Sequence, residues 1–146
     1  MSLQGKWYNE LGSKMVLKVA KGVISVTYIS AVGPDGVRGV PFPLAGQLDT
    51  SVKAGAAQPP AAIGFVVIWS KFGSVTTWSG QVLENGSTIL TTWLLTDAAC
   101  AGKDWQSTEI GQDVFTRIEP SPEEVATLLA RWRMSHPHPK LQRLEL

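Results

Sequence analysis

The sequence predicts an all-β fold, an eight-stranded antiparallel up-and-down barrel followed by a short C-terminal helix. Short segments alternate apolar and polar residues, and turn residues separate them at hairpin distances. The period becomes helical only after residue 120, so the barrel is predicted to occupy residues 1–120 and the extension residues 121–146. A barrel of eight strands is either filled by side chains or holds one small ligand.

The clearest element is a hairpin within residues 74–95. The pair Asn85-Gly86 is typical of a type I′ turn, because both residues tolerate positive φ angles. A two-residue loop there sets a register with two cross-strand pairs on one face, Trp78 with Trp93 and Thr76 with Leu95. This face is predicted to be either a packed core or the wall of a cavity.

The strands before the hairpin follow the same two-residue alternation. Pro41 and Pro43 suit an edge or an irregular strand entry, since proline donates no ladder hydrogen bond. Residues 33–36 and 49–60 are rich in turn formers and are predicted loops. The predicted strands are residues 5–10, 14–19, 23–31, 40–48 and 62–70.

After the hairpin, residues 97–104 are a predicted loop and residues 108–119 the last strand. Ser121 and Glu124 have the spacing of a capping box, and Pro122 suits the first helical position. The apolar period then predicts a helix over residues 121–134, which either packs on the barrel or contacts another subunit. Residues 135–146 are a predicted frayed tail.

Composition excludes several classes of protein. The 146 residues carry a net charge of +1 without a basic block, so a nucleic-acid surface is not expected. No apolar run reaches the length of a membrane span. Cys100 is the one cysteine, so it cannot form an intrachain disulfide. No secretory leader is visible, which favours an intracellular location unless a leader has been removed.

Five motifs follow one another along the chain: GKWYNELGS (5–13), YISAVG (28–33), TTWSGQ (76–81), WLLT (93–96) and WQST leading to GQD (105–113). In their order and spacing they resemble the avidin/streptavidin family over residues 5–118. Within that family, the start of the chain, the segment 40–44 and the C-terminal extension look most like the fungal tamavidins.

The resemblance implies a non-enzymatic protein that binds biotin at the open end of the barrel and has no other cofactor. By position, Asn9, Ser13 and Tyr28 donate to the ureido oxygen, and Ser30 and Asp113 accept from the ureido N–H groups. The other residues matched are Thr76 at the thioether sulfur, the walls Leu11, Val32, Trp69, Trp78, Trp93 and Leu95, and Gly33 and Ser74, the latter near the carboxylate.

The resemblance also implies a homotetramer in which Trp105 closes the site of a neighbouring subunit. One departure concerns the carboxylate end, where Asp35 would repel biotin if its side chain pointed inward.

Two other classes compete with this interpretation. A lipocalin-like barrel for a different apolar ligand would not need buried polar groups such as Asn9 and Asp113. An enzyme would need a nucleophile with a base, but the sole thiol is Cys100 and both histidines, His136 and His138, lie in the tail. The tail histidines also lack partners at metal-binding spacing, so no metal site is predicted.

Overall fold

The computed structural model describes residues 3–49, 51, 60–83, 86–99, 102–131 and 135. Eight antiparallel strands form a closed barrel in which each strand pairs with its neighbours in the sequence, which confirms the predicted fold. A 3₁₀ turn (Asp104–Gln106) precedes the last strand, and one helix, α1 (Pro122–Leu129), follows it. The strands are β1 (Gly5–Tyr8), β2 (Lys14–Ala20), β3 (Val23–Ile29), β4 (Pro41–Leu48), β5 (Ala61–Trp69), β6 (Ser74–Val82), β7 (Thr88–Asp97) and β8 (Thr108–Thr116).

The β6–β7 hairpin has the predicted register. Trp78 pairs with Trp93 and Thr76 pairs with Leu95. At the turn, Gly86 has a φ of 64°, a conformation that glycine adopts without steric cost. Glu84 and Asn85 lie outside the described residues, so the predicted turn type stays a prediction.

The interior has a packed half and an open half. At the hairpin end, inward-facing apolar side chains fill the barrel, and burying each contributes about 1.5–3 kcal/mol. Phe65 stacks on Trp78 with ring centroids 5.0 Å apart, so the packed half supports the floor of the open half. The fully buried side chains of the packed half include Trp7, Leu17, Ile24, Ile89 and Phe115.

Closure between β1 and β8 depends on side chains as well as on the backbone. The two strands share one paired position, Tyr8 with Thr116. Arg117 reinforces the seam, because its Nη1 donates to the Lys6 carbonyl at 2.9 Å and its guanidinium lies 3.8 Å from the centre of the Trp7 ring. A cation over an indole ring stabilises a fold by about 0.5–2 kcal/mol, here at the seam where β1 and β8 share few backbone hydrogen bonds.

Helix α1 begins as predicted but ends earlier. The Ser121 hydroxyl accepts from the Glu124 amide at 3.2 Å, and the Glu124 carboxylate accepts from the Ser121 amide at 2.7 Å, which completes the capping box. None of the helical residues is buried within the single chain. The predicted packing of α1 against its own barrel is therefore slight.

Beyond α1, the backbone of Ser135 pairs with that of Ile110 on β8, and the rest of the predicted tail lies outside the described residues. Within the described part of the chain, no helix is both long and apolar enough to cross a membrane.

Candidate ligand-binding site

A cavity of about 430 Å³ occupies the open half of the barrel. It contains every predicted site residue except Trp105, which lies half-buried in the 3₁₀ turn outside its own cavity. The predicted residues that line it are Asn9, Leu11, Ser13, Tyr28, Ser30, Val32, Gly33, Trp69, Ser74, Thr76, Trp78, Trp93, Leu95 and Asp113. Sequence reasoning missed five more lining residues, Pro34, Val37, Phe72, Asp97 and Glu109.

Asn9 takes its position from the turn that ends β1. Its Oδ1 accepts from the backbone amides of Leu11 at 3.0 Å and Ser13 at 2.8 Å, which stops the strand two residues before the predicted end. Both oxygen lone pairs are therefore used, and the side-chain amide has one orientation. Its Nδ2 donates to Asp113 Oδ1 at 3.2 Å and keeps a second N–H for the cavity.

Asp113 is 4 % exposed and lies at the floor of the cavity. Burial raises the pKa of Asp113 to about 6; the hydrogen bond from the Trp78 indole opposes this, and the nearby charge of Glu10 adds to it. The Trp78 Nε1 donates to Asp113 Oδ2 at 2.8 Å. The Trp93 side chain also hydrogen-bonds to this carboxylate. Three donors from the protein leave about one lone pair for a ligand.

Tyr28 and Ser13 lie close together beside this carboxylate. Burial and then the charge of Asp113 raise the pKa of Tyr28 well above its ordinary value, although a hydrogen bond with Ser13 opposes the shift. Tyr28 is therefore a neutral phenol with a proton to donate. The Ser13 oxygen accepts from the Ala31 amide at 3.0 Å, which leaves its own proton for donation.

Two further hydroxyl groups have complementary roles. Ser30 donates to the Val32 carbonyl at 2.7 Å and accepts from the Val32 amide at 3.2 Å, so toward the cavity it can only accept. Thr76 accepts from the Trp69 Nε1 at 2.8 Å, so its own proton is available to a ligand.

The walls of the cavity are aromatic and braced against one another. Tyr28 lies 5.9 Å from Trp69 in an edge-to-face arrangement and 4.9 Å from Trp78. Each such pair stabilises the fold by about 0.5–1.5 kcal/mol beyond the stabilisation that comes from burying its surface area. The Trp93 indole lies against Gly111, where a Cβ would be 2.0 Å from Trp93 Cζ2. Gly111 therefore shapes the cavity, and its place opposite Trp93 in the register is the signal that could have identified it.

The charged residues at the mouth of the cavity are not the predicted one. Asp35 does not line it; its side chain is 99 % exposed and forms a 3.2 Å ion pair with Arg38. Instead, Asp97 and Glu109 bring carboxylates to the wall, because β7 continues to Asp97 through part of the predicted loop. Among the described residues, no group of three or more histidine, cysteine, aspartate or glutamate side chains is placed to hold a metal.

Comparison with known proteins agrees with the arrangement of the barrel and its cavity. The family model described as the Avidin family matches residues 1–118. The chain is 37 % identical to avidin from Gallus gallus over 128 residues, which cover 84 % of this chain and 82 % of that protein. It is 35 % identical to avidin-related protein 4/5 from the same organism, over 80 % of this chain and 78 % of that protein. The specific likeness to tamavidins stays a prediction, but the chain belongs to the avidin family.

Proposed function

We propose that this protein binds biotin without catalysis, one molecule per barrel, with the ureido ring on the floor of the cavity. Membership of the avidin family implies biotin binding. The observation that carries the finer assignment is the buried polar set, in which hydrogen bonds within the protein restrict each group to donating or to accepting. That set matches a cyclic urea, which has one strong acceptor and two donors.

The donors are Asn9, Ser13 and Tyr28. Asn9 keeps an N–H for the cavity, and Ser13 and Tyr28, which hydrogen-bond to each other, turn their hydroxyl protons to the ligand when it binds. Three donors on one carbonyl oxygen stabilise partial negative charge there, as in an oxyanion hole. Because these side chains are at most 3 % exposed, the bonds form where water does not compete.

The acceptors are Asp113 and Ser30, one for each ureido N–H. The ionised carboxylate makes the stronger bond of the two, since charge-assisted hydrogen bonds are about twice as strong as neutral ones. Thr76 then offers its proton to the ring sulfur, and Trp69, Trp78 and Trp93 enclose the apolar part of the ligand.

The lipocalin-like alternative is less favourable. A purely apolar ligand would cover the remaining donors and acceptors of Asn9, Ser13 and Asp113 without bonding them, and each one buried without a partner costs about 1–3 kcal/mol. The polar floor therefore favours a ligand with its own donors and acceptors.

We also propose that four barrels associate and that Trp105 closes a neighbouring cavity. Trp105 does not line the cavity of its own chain. The outward faces of β7 and β8 expose Leu90, Leu94 and Val114, each at least 40 % accessible in the single chain. Leu90 and Val114 are paired across these strands, so they form a continuous apolar surface suited to another barrel.

Isothermal titration with biotin tests the binding proposal. We expect saturation at one biotin per chain with nanomolar or tighter affinity. Desthiobiotin, which lacks the ring sulfur, should bind more weakly to the wild type, and Thr76→Val should narrow that difference. Micromolar, weaker or undetectable biotin binding by the folded protein would contradict the proposal, and tight binding of an apolar ligand instead would support the lipocalin-like alternative.

A further inference from the structure

We propose that the mouth of the cavity selects against a negatively charged ligand tail, so that the preferred ligand is biotin in amide linkage, as on a lysine side chain, rather than free biotin. This inference rests on the proposed function, because it assumes that the ureido ring lies on the polar floor. The groups responsible are Asp97, Glu109 and Ser74.

The register places these three residues together. Ser74 on β6 pairs with Asp97 on β7, and Leu95 on β7 pairs with Glu109 on β8. Asp97, Leu95 and Glu109 therefore project from the same inner face, and all of them line the cavity. Asp97 and Glu109 are diagonal neighbours, about 7–8 Å apart between Cα atoms.

The floor and the mouth receive opposite ends of a ligand. Asn9, Ser13 and Asp113 at the floor are 1–4 % exposed, whereas Asp97 at the mouth is exposed and Glu109 is half-buried. A biotin whose ring bonds to the floor must direct its acyl chain toward the mouth. Its terminal carboxylate then meets two carboxylates of the protein.

A second observation marks the mouth as a ligand contact. The Ser74 side chain is 9 % exposed and lines the cavity, and its hydroxyl has no hydrogen-bond partner among the described residues. A serine hydroxyl donates and accepts equally well, so it can accept from an amide N–H as readily as it can donate to a carboxylate. With Asp97 directly opposite, an N–H donor is the favoured partner.

No positive charge at the mouth offsets this preference. None of the described lysine or arginine side chains lines the cavity. Arg38, which lies in the loop that follows Gly33, is outside the cavity and forms an ion pair with Asp35. A ligand carboxylate therefore experiences repulsion from Asp97 and Glu109, whereas an amide experiences none and an ammonium group is attracted.

Competition titration with three probes tests the inference: biotin, its N-methylamide, and an amide of biotin that carries a terminal ammonium group. We expect the wild type to bind both amides at least as tightly as biotin. The double variant Asp97→Asn/Glu109→Gln removes two exposed or half-exposed repulsive charges and should therefore shift the affinity ratio toward free biotin by about two- to thirtyfold. Asp35→Asn, the matched control, should leave the ratio unchanged.

Ionic strength gives a second measurement on the wild type alone. Raising the salt concentration from 10 mM to 0.5 M screens these charges, so the affinity for biotin should rise relative to the affinity for the ammonium amide. If neither the double variant nor salt changes the ratio, the acidic mouth does not select the ligand. If none of the three probes binds the folded wild type, the proposed function itself is wrong.

Discussion

Replacing Asp113 with asparagine should stabilise the unliganded barrel at neutral pH while it weakens biotin binding. The substitution nearly preserves shape and removes a buried charge. The new Oδ1 can still accept from the Trp78 indole, which donates to the carboxylate at 2.8 Å in the wild type. The new amide nitrogen would face the amide nitrogen of Asn9, and two donors cannot hydrogen-bond to each other. The Asn9 side chain cannot exchange its oxygen and nitrogen, because its oxygen accepts from two backbone amides. Of the three hydrogen bonds to the carboxylate, which come from Trp78, Asn9 and Trp93, at least the one from Asn9 is lost.

The size of the effect follows from the pKa of Asp113. Burial raises this pKa from 3.8 to about 6, and each unit corresponds to 1.36 kcal/mol, so the ionised side chain costs the folded state about 3 kcal/mol at pH 7. The lost hydrogen bond costs about 1 kcal/mol. We therefore expect Asp113→Asn to raise the free energy of unfolding by about 1–2 kcal/mol at pH 7.

The pKa of Asp113 also fixes the direction in which the free energy of unfolding changes with pH. Because the folded pKa is the higher one, the folded protein binds more protons than the unfolded chain between about pH 4 and pH 6. The contribution of Asp113 to wild-type stability therefore falls as the pH rises through this range. The variant lacks that contribution, so its advantage should disappear below about pH 4.

Biotin binding should respond in the opposite direction. The proposed role of Asp113 needs the ionised carboxylate, so wild-type affinity should fall as the pH drops below about 6. Asp113→Asn should lose about 2–5 kcal/mol of binding free energy at pH 7, since a ligand N–H would lose a charged acceptor. Binding that is equally tight in wild type and variant, or unaffected by pH, would refute the proposed role.

Urea unfolding of the unliganded proteins at pH 4, 5.5 and 7 measures the stability effect, and isothermal titration at the same pH values measures binding. Asp35→Asn is the control for a general effect of removing one negative charge, because Asp35 is fully exposed and outside the cavity. If Asp113→Asn is less stable than the wild type at pH 7, the ionised Asp113 side chain does not destabilise the folded state.

Three further predictions concern other parts of the barrel. Gly111→Ala should displace the Trp93 indole, since the added Cβ would lie 2.0–2.7 Å from three of its ring atoms. Titration should then show biotin binding at least tenfold weaker, and circular dichroism should show that the fold is retained. Trp105→Lys should speed biotin dissociation and leave association almost unchanged in stopped-flow measurements, because the proposed lid would act after docking. Arg117→Gln should lower the free energy of unfolding by about 1 kcal/mol in urea, through the lost contact with Trp7.

The hairpin shows why much of the site could be predicted from sequence. Once a turn sets the register of two strands, the two-residue period assigns every side chain to a face. Trp78 and Trp93 therefore had to meet if the hairpin formed, and the structure pairs them. Asn9 and Tyr28 needed more information, because their approach to Asp113 depends on closure of the whole barrel; the resemblance to a family supplied it.

The mouth could not be predicted in the same way. Asp97 follows the apolar residues of β7 and precedes small residues, so its local sequence is typical of a loop, yet pairing with Ser74 extends the strand to include it. Asp35 presents the reverse case. Its sequence position suggested a side chain at the mouth, but the side chain lies in solvent, where it forms an ion pair with Arg38. The first outcome depends on a tertiary partner and the second on the conformation of a loop, and a local period encodes neither.

The polar floor is braced by hydrogen bonds within the protein. Asn9, Ser13, Ser30 and Thr76 each use part of their hydrogen-bonding capacity on the protein and leave the complementary part toward the cavity. The bonds within the protein fix the rotamers before a ligand arrives, so binding requires little further loss of side-chain entropy, which otherwise costs about 0.5–1.5 kcal/mol per immobilised side chain. The mouth lacks this bracing, since Ser74 has no such partner among the described residues. Affinity should therefore be determined mainly at the floor, and the choice between free and amide-linked ligands at the mouth.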